Sequence, residues 1–277
     1  MSTRIRVLDD ADLPAARELA SADPVTNVFL LSRMTEGGLD RSRLGCPVHG
    51  AWRDGELLAM LHVGANLVPC GDPEAVAQLA GHVGPWRRSS SIMGRSDLVM
   101  ALHAELSRRW GHPWAHTREI RAHQPLMAID GQPAIACDPR VRRIDESDFD
   151  SYFRAAVAMY TEEVGVSPLD PGGSYSRHMR ALVARGQCFG IVDDGRVRWK
   201  SDIGVAWRDV CQIQGVWLDP VLRGHGTSAS AMAGVVSLCL RSHSTVSLYV
   251  NDFNTRALRM YRQVGFRPVG EMATVLY

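Results

Sequence analysis

The sequence predicts an α/β protein with mixed sheets, built from two related domains, and three observations lead to this prediction. Strand-like and helix-like patterns follow one another along the 277-residue chain. That length exceeds one ordinary domain and suits two of modest size. The segments beginning at Arg4 and at Val141 also share one design, a short strand, an acidic turn able to cap a helix, then a helix. We therefore expect domains at residues 1–138 and 139–277, with Gly and Pro punctuating the joint.

The composition of the chain disfavours several classes of function. The hydrophobic share is 45% and the charged share 22%, which is normal for a globular chain with a sizeable core. No apolar run approaches the roughly eighteen residues that cross a bilayer, and the N-terminus lacks the apolar core of a signal peptide. We expect a cytoplasmic protein without a membrane partner. A net charge of +1 disfavours nucleic acid, and six cysteines without a C-x-x-C pair disfavour a metal site.

The first half predicts a hairpin and two helices. Strands over 50–53 and 57–63 are joined through Asp54-Gly55, which is a strong hairpin signal. Helices are predicted over 73–82 and 96–110, with a small strand over 89–94 between them.

The second half shows clearer alternation of patterns. The predicted elements are helices over 149–163, 175–184, 227–240 and 254–264, and strands over 188–192, 197–207, 210–218, 246–250 and 268–276. Their order predicts a mixed α/β domain.

A glycine-bearing loop stands between a predicted strand and a predicted helix. Gly224 and Gly226 allow the backbone to approach an anion closely, and the following helix presents its positive end. The loop therefore suits a diphosphate, although an ordinary strand–helix turn remains the alternative. It matches neither the Walker loop nor the complete dinucleotide fingerprint.

Together with a downstream motif, this loop resembles the GNAT superfamily of N-acetyltransferases. The family pattern R/Q-x-x-G-x-G/A is filled by Arg223, Gly226 and Ser228, where Ser replaces the usual Gly or Ala. The family pattern N-x-x-A-x-x-x-Y-x-x-x-G-F is filled without a gap by Asn254, Ala257, Tyr261, Gly265 and Phe266. The resemblance covers residues 139–277.

This resemblance implies an acetyl-CoA site between the fourth and fifth strands of the family fold, which splay apart. It implies that strand backbone pairs with the pantetheine arm, that the loop and helix start hold the diphosphate, and that one Asn contacts the pantetheine side. The cofactor-binding residues so implied are Val216, Trp217, Leu218, Arg223, Gly224, His225, Gly226, Thr227, Ser228, Ala229 and Asn254.

The resemblance also implies direct attack of a neutral amine on the thioester. It places Tyr261 near the acetyl-CoA sulfur as general acid, with a core aromatic as the alternative. Family members often carry a carboxylate base on the fourth or fifth strand, but Gln212 and Tyr249 occupy the matching positions. Either a water chain or the pair Glu162-Glu163 remains, and we select Glu163 as the catalytic base.

Three stretches, at residues 64–69, 160–168 and 212–217, extend the resemblance to the whole chain. With them the chain resembles a bacterial subgroup of GNAT proteins that carry an N-terminal domain of unknown function. That domain is predicted to be a degenerate GNAT fold, because the first half holds no R-x-x-G-x-G loop. The expected function is acetyl-CoA-dependent acetylation of a primary amine on a small molecule or protein. The alternative is an acyl-CoA sensor or interaction module without turnover, and the sequence is compatible with an oligomer.

Overall fold

The structure is a computed structural model and describes residues 3–277. The chain divides into two compact units. Unit 1 comprises the residues up to Met127 with Tyr249–Asn254 and Pro268–Tyr277, and unit 2 comprises Ala128–Leu248 and Thr255–Arg267. The end of the chain thus belongs to unit 1, although the helix before it belongs to unit 2. The domain boundary at residues 138 and 139 stays a prediction.

Unit 1 has a mixed sheet with helices between its strands. Its strands are β1 (Arg4–Val7), β2 (Val48–Arg53), β3 (Glu56–Val63), β4 (Asn66–Gly71), β5 (Ser91–Arg95), β6 (Glu119–Ile129) and β12 (Arg267–Leu276). Its helices are α1 (Leu13–Ser21), α2 (Val28–Gly37), α3 (Arg41–Leu44), α4 (Pro73–Leu79), α5 (Ser96–Trp110) and α6 (His112–Ala115). The strand order is β1-β2-β3-β4-β5-β12-β6. β4 and β5 are parallel, whereas β1 to β4 pair antiparallel in succession and β12 pairs antiparallel with β5.

Unit 2 repeats this plan. Its strands are β7 (Arg142–Arg143), β8 (Cys188–Asp193), β9 (Arg196–Trp207), β10 (Val210–Leu218) and β11 (Thr245–Tyr249), in the order β7-β8-β9-β10-β11. Its helices are α7 (Phe149–Val164), α8 (Ser174–Ala184), α9 (Thr227–Cys239) and α10 (Thr255–Val264). β7 to β10 pair antiparallel in succession, and β10 is parallel to β11. The predicted α/β fold with a mixed sheet is confirmed in both units.

The similar starts of the two halves fold in the same way. Asp9 and Asp145 each cap a short 3-10 turn through a reciprocal capping box, which satisfies backbone N–H groups that a helix start leaves unpaired. The same turns carry equivalent ion pairs, Arg6–Asp12 and Arg142–Asp148. A local sequence pattern therefore produces the same local structure twice.

The hairpins repeat as well. Asp54-Gly55 joins β2 to β3, and Asp194-Gly195 joins β8 to β9. All four turn residues have positive φ, between 48° and 87°. A two-residue turn of this kind matches the twist of the strands it connects, and Asp and Gly tolerate it better than most residues. The hairpin predicted at Asp54-Gly55 is confirmed.

Five elements of unit 1 were not predicted by the sequence, namely the helices α2, α3 and α6 and the strands β4 and β6. β4 contains Pro69 and β6 contains Pro125, and proline lacks the N–H that a strand ladder uses, so it lowers the strand signal. In addition, the predicted helix over 73–82 ends as an α-helix at Leu79 and continues only as a 3-10 turn, Ala80–His82.

Candidate active site

The divergence of two parallel strands shapes the candidate site in unit 2. β10 and β11 share three registered residue pairs, of which Gln212↔Ser247 is the last among the described residues. β10 nevertheless continues to Leu218 and stays paired with β9, with a bulge between Gln214 and Trp217. The end of β10 therefore has backbone groups on one edge that β11 does not use. Such an edge can receive the amide groups of an extended ligand.

The glycine loop leads from this strand into an open helix end. Gly224 and Gly226 are exposed, have φ of +94° and +80°, and have no atom within 4 Å of where a Cβ would stand. Gly226 is the N-cap of α9 and offers no side-chain acceptor, and the first turn of α9 holds no acidic residue. The N–H groups at this helix start can therefore donate hydrogen bonds to an anion.

The structure places the predicted cofactor-binding residues on three consecutive segments of unit 2, with one exception. Val216, Trp217 and Leu218 end β10, the stretch 223–226 forms the loop, and the stretch 227–229 opens α9. The exception is Asn254, which directly precedes α10 and is assigned to unit 1. Its backbone N–H donates to the carbonyl of Asn251 over 3.0 Å.

Glu162 joins the end of α7 to the loop, a contact that sequence reasoning missed. One carboxylate oxygen accepts from Arg223 Nη2 at 2.7 Å and the other from Trp217 Nε1 at 3.1 Å. Arg223 Nε also donates to the carbonyl of Leu218 at 3.1 Å. The motif arginine thus ties the loop to β10 and α7. No sequence signal could reveal this, because Glu162 and Arg223 lie 61 positions apart.

The two predicted catalytic residues lie close enough for the charge of one to affect the other. Tyr261 on α10 is only 6% exposed, and its ring lies 5.8 Å from that of Phe266, centroid to centroid. Burial, and then the carboxylate of Glu163, raise the pKa of Tyr261. The phenol is therefore protonated at neutral pH. Glu163 itself is exposed at the end of α7.

A buried charged pair lies beside the β10 bulge, where the sequence had suggested no functional group. Lys200 Nζ donates to Asp202 Oδ2 at 2.7 Å and to the carbonyl of Gly215 at 3.0 Å. Their side chains are 0% and 3% exposed. Burial lowers the pKa of Lys200 to about 7 and raises that of Asp202 well above its usual range. One signal was available in the sequence, since Lys200 is its only lysine.

The described residues, 3–277, contain neither a metal-binding cluster nor a membrane-spanning helix. No group of three or more His, Cys, Asp and Glu side chains is placed to hold a metal ion there. None of the helices in that range is both long enough and apolar enough for a membrane span.

Comparison with protein families assigns both halves of the chain. Residues 168–266 match the acetyltransferase (GNAT) family. The chain carries a GNAT domain. Residues 46–152 match a domain of unknown function, DUF4081, which confirms the predicted subgroup with such an N-terminal domain. A sequence search of curated proteins gave no match.

Several solved structures share the fold of this chain over nearly its whole length. A GNAT-family acetyltransferase from Colwellia psychrerythraea is 11% identical with a TM-score of 0.59, and 99% of each chain is covered. A GCN5-related N-acetyltransferase from Kribbella flavida is 16% identical with a TM-score of 0.56, covering 94% of this chain and 95% of its own. A tandem GNAT protein of the clavulanic acid biosynthesis pathway is 11% identical with a TM-score of 0.51, covering 99% and 98%. The tandem GNAT-like fold is thus confirmed, and it supports acetyl transfer as the general chemistry.

Proposed function

We propose that the protein is an N-acetyltransferase that moves the acetyl group of acetyl-CoA to a primary amine of a small molecule or a protein. One observation carries this proposal. The edge of β10 that diverges from β11 continues directly into the glycine loop and the uncapped start of α9. An unpaired strand edge is therefore followed along the chain by N–H groups that could bind an anion. An extended amide-bearing arm attached to a diphosphate needs both features in that order.

The residues of this chain divide the binding of acetyl-CoA among them. The backbone of Val216, Trp217 and Leu218 would hold the pantetheine arm, and Asn254 would contact the same arm. The segment from Gly224 to Ala229, with His225, Thr227 and Ser228 between, would hold the diphosphate beside Arg223. When bound, acetyl-CoA supplies the thioester from which the acetyl group is taken.

Tyr261 would act as the general acid. Its buried phenol keeps its proton at neutral pH, so that the proton is available to the thiolate that leaves. Backbone N–H groups at the end of β10 would stabilise the negative charge that develops on the carbonyl oxygen.

Glu163 would act as the base that removes the proton of the acceptor amine, directly or through water. Its exposed position at the end of α7 supports access by an acceptor, and its charge reaches Tyr261. The neighbouring Glu162 accepts hydrogen bonds from Arg223 and Trp217. Glu163→Gln should remove the acidic limb of the pH–rate profile. If that limb is unchanged, a water chain performs the deprotonation instead.

The proposal is tested first by calorimetric titration with acetyl-CoA, then by a transfer screen over amino acids, polyamines, aminoglycosides and peptides. We expect saturable binding and turnover with one class of amine. Absence of binding at millimolar acetyl-CoA would contradict the proposal. Binding without turnover on any amine would favour an acyl-CoA sensor. A parallel titration with succinyl-CoA tests whether a longer acyl group is accepted.

A further inference from the structure

The only lysine of the chain occupies a special position. Of 31 basic residues, 30 are arginine, and Lys200 is fully buried in unit 2. Its Nζ makes the two hydrogen bonds described above, to Asp202 and to the carbonyl of Gly215, and lies 5.1 Å from the centre of the Tyr152 ring. The Gly215 carbonyl belongs to the bulge of β10, directly before the strand end assigned to the pantetheine arm.

Stability alone is a poor explanation for this pair. Burying two charged groups costs several kcal/mol, and well-packed apolar residues often stabilise such a site equally well. Arginine could not replace Lys200 here, because its guanidinium is larger and remains charged, whereas burial brings the pKa of Lys200 to about 7. The contact between a buried lysine and a strand bulge therefore indicates that the lysine fixes the conformation of that bulge.

The geometry of the bulge shows what the contact controls. Gly215 has φ of +62°, and a Cβ there would lie 2.7 Å from Asp202 Oδ2 and 2.9 Å from Lys200 Nζ. Only glycine leaves room for the pair without strain. The carbonyl of Gly215 and the N–H of Val216 belong to one planar trans peptide unit, so they point in opposite directions. Because the carbonyl is held towards Lys200, the Val216 N–H is directed away from it.

We propose that Lys200, held in place by Asp202, is a positioning residue for acetyl transfer: by binding the Gly215 carbonyl it aims the Val216 N–H at the carbonyl oxygen of the thioester. This inference rests on the proposed function. Neither Lys200 nor Asp202 touches the reacting atoms. Together they hold the orientation of one backbone donor, which has most value when it is fixed before the reaction begins.

The test is the infrared carbonyl stretch of acetyl-CoA labelled with ¹³C at the thioester carbonyl, which needs no acceptor amine. A hydrogen bond to the carbonyl oxygen lowers this frequency. In the wild-type protein we expect a bound frequency below that of free acetyl-CoA. In Lys200→Met it should return towards the free value, while the affinity for CoA, which has no acetyl group, stays within about threefold.

Two other variants complete the experiment. Ser201→Ala is the matched control, because Ser201 is a buried neighbour on β9 whose Oγ has no hydrogen-bond partner, and it should keep the wild-type frequency. Asp202→Asn changes the volume little and removes the charge partner of Lys200. It reports on the same contact if Lys200→Met does not fold, and a shift towards the free value is expected there too.

The outcomes separate this inference from the proposed function. A bound carbonyl with the same frequency in wild type, Lys200→Met and Asp202→Asn would overturn the inference and leave the proposed function intact. A wild-type frequency equal to that of free acetyl-CoA would also overturn it. Failure of the wild-type protein to bind acetyl-CoA in the calorimetric titration would overturn both.

Discussion

The two units repeat one arrangement of strands and helices, and they differ at the helix that follows the fourth strand of each unit. In unit 1, β4 leads through Asp72 into α4, and the Asp72 carboxylate accepts from the N–H of Ala75 at 2.9 Å. In unit 2, β10 leads through the glycine loop into α9, whose N-cap, Gly226, has no side chain to accept. A carboxylate at a helix start both uses the N–H groups and repels a phosphate. The helix start of unit 2 therefore leaves N–H groups available that the corresponding helix of unit 1 uses for its own cap.

The two units also differ at two further pairs of equivalent positions. Tyr261 is the seventh residue of α10, and the seventh residue of α5 in unit 1 is Leu102, which is fully buried. Lys200 is the fifth residue of β9, and the fifth residue of β3 is Met60. Unit 1 has apolar side chains where unit 2 has groups that carry or donate protons. The difference is consistent with the proposal that unit 2, and not unit 1, carries out the transfer.

The largest effect is expected from Tyr261→Phe. Removing the hydroxyl should lower kcat by about 10²-fold, because only the transition state uses the proton of the phenol. The affinity for acetyl-CoA should be nearly unchanged in calorimetry. Tyr277→Phe in unit 1 is the matched control, since it loses only a contact of the hydroxyl with His103. Equal turnover of wild type and Tyr261→Phe would make Tyr261 a core residue, as Leu102 is in unit 1.

A smaller effect, on the affinity for acetyl-CoA, is expected when the first turn of α9 receives an acidic residue like those at the start of α4. Thr227→Asp places a carboxylate in the first turn of α9, close to the proposed diphosphate seat, and should weaken acetyl-CoA binding about tenfold or more. Thr227→Asn introduces a side chain of the same shape as Asp but without its charge, and this variant should bind acetyl-CoA almost as well as wild type. Titration calorimetry at low and high salt separates the two, because the charge effect must shrink as salt rises. Equal affinities at low salt would place the diphosphate elsewhere.

The Arg6–Asp12 pair at the start of unit 1 predicts a dependence of stability on pH. Asp12 is buried, and its hydrogen bonds to Arg6 lower its pKa. A depressed carboxyl pKa stabilises the fold above the unfolded value of about 3.9, and this contribution is lost as pH falls through the folded value. Asp12→Asn should therefore cost about 1.5 kcal/mol in the free energy of unfolding at pH 7.

Urea unfolding at pH 7 and at pH 3 measures that prediction. The difference between wild type and Asp12→Asn should shrink at the lower pH, because the wild-type carboxyl then begins to protonate. A difference that is independent of pH would show that the pair contributes through packing alone.

The smallest effect is expected at the cap of α4. Asp72→Ala removes the acceptor for the Ala75 N–H and should cost about 1 kcal/mol of stability, whereas Asp72→Asn keeps an acceptor and should cost little. Neither substitution should change the affinity for acetyl-CoA. A gain of a second binding site in either variant would mean that the cap alone distinguishes the units. Denaturant unfolding and calorimetric stoichiometry provide the two measurements.

Several features of this protein were determined by the sequence alone. The Asp-Gly hairpins, the capped starts and the glycine loop before α9 all depend on neighbouring residues, so their patterns are readable along the chain. The two GNAT motifs are local for the same reason, and they led to a family that the comparison with known proteins confirms. The roles predicted for the motif residues, including Tyr261 and Asn254, stay predictions.

The tertiary structure alone decided other features. It placed the last strand, β12, beside β5 in unit 1, a pairing for which no neighbouring residues provide a signal. It brought Glu162 to Arg223, and it set Lys200 and Asp202 against Gly215 on the next strand. Such contacts depend on strand register, on a bulge and on the burial of two charged groups, and these arise only when distant segments pack together. The sequence could therefore propose a loop for acetyl-CoA, but it could not predict the side-chain contacts that surround this loop.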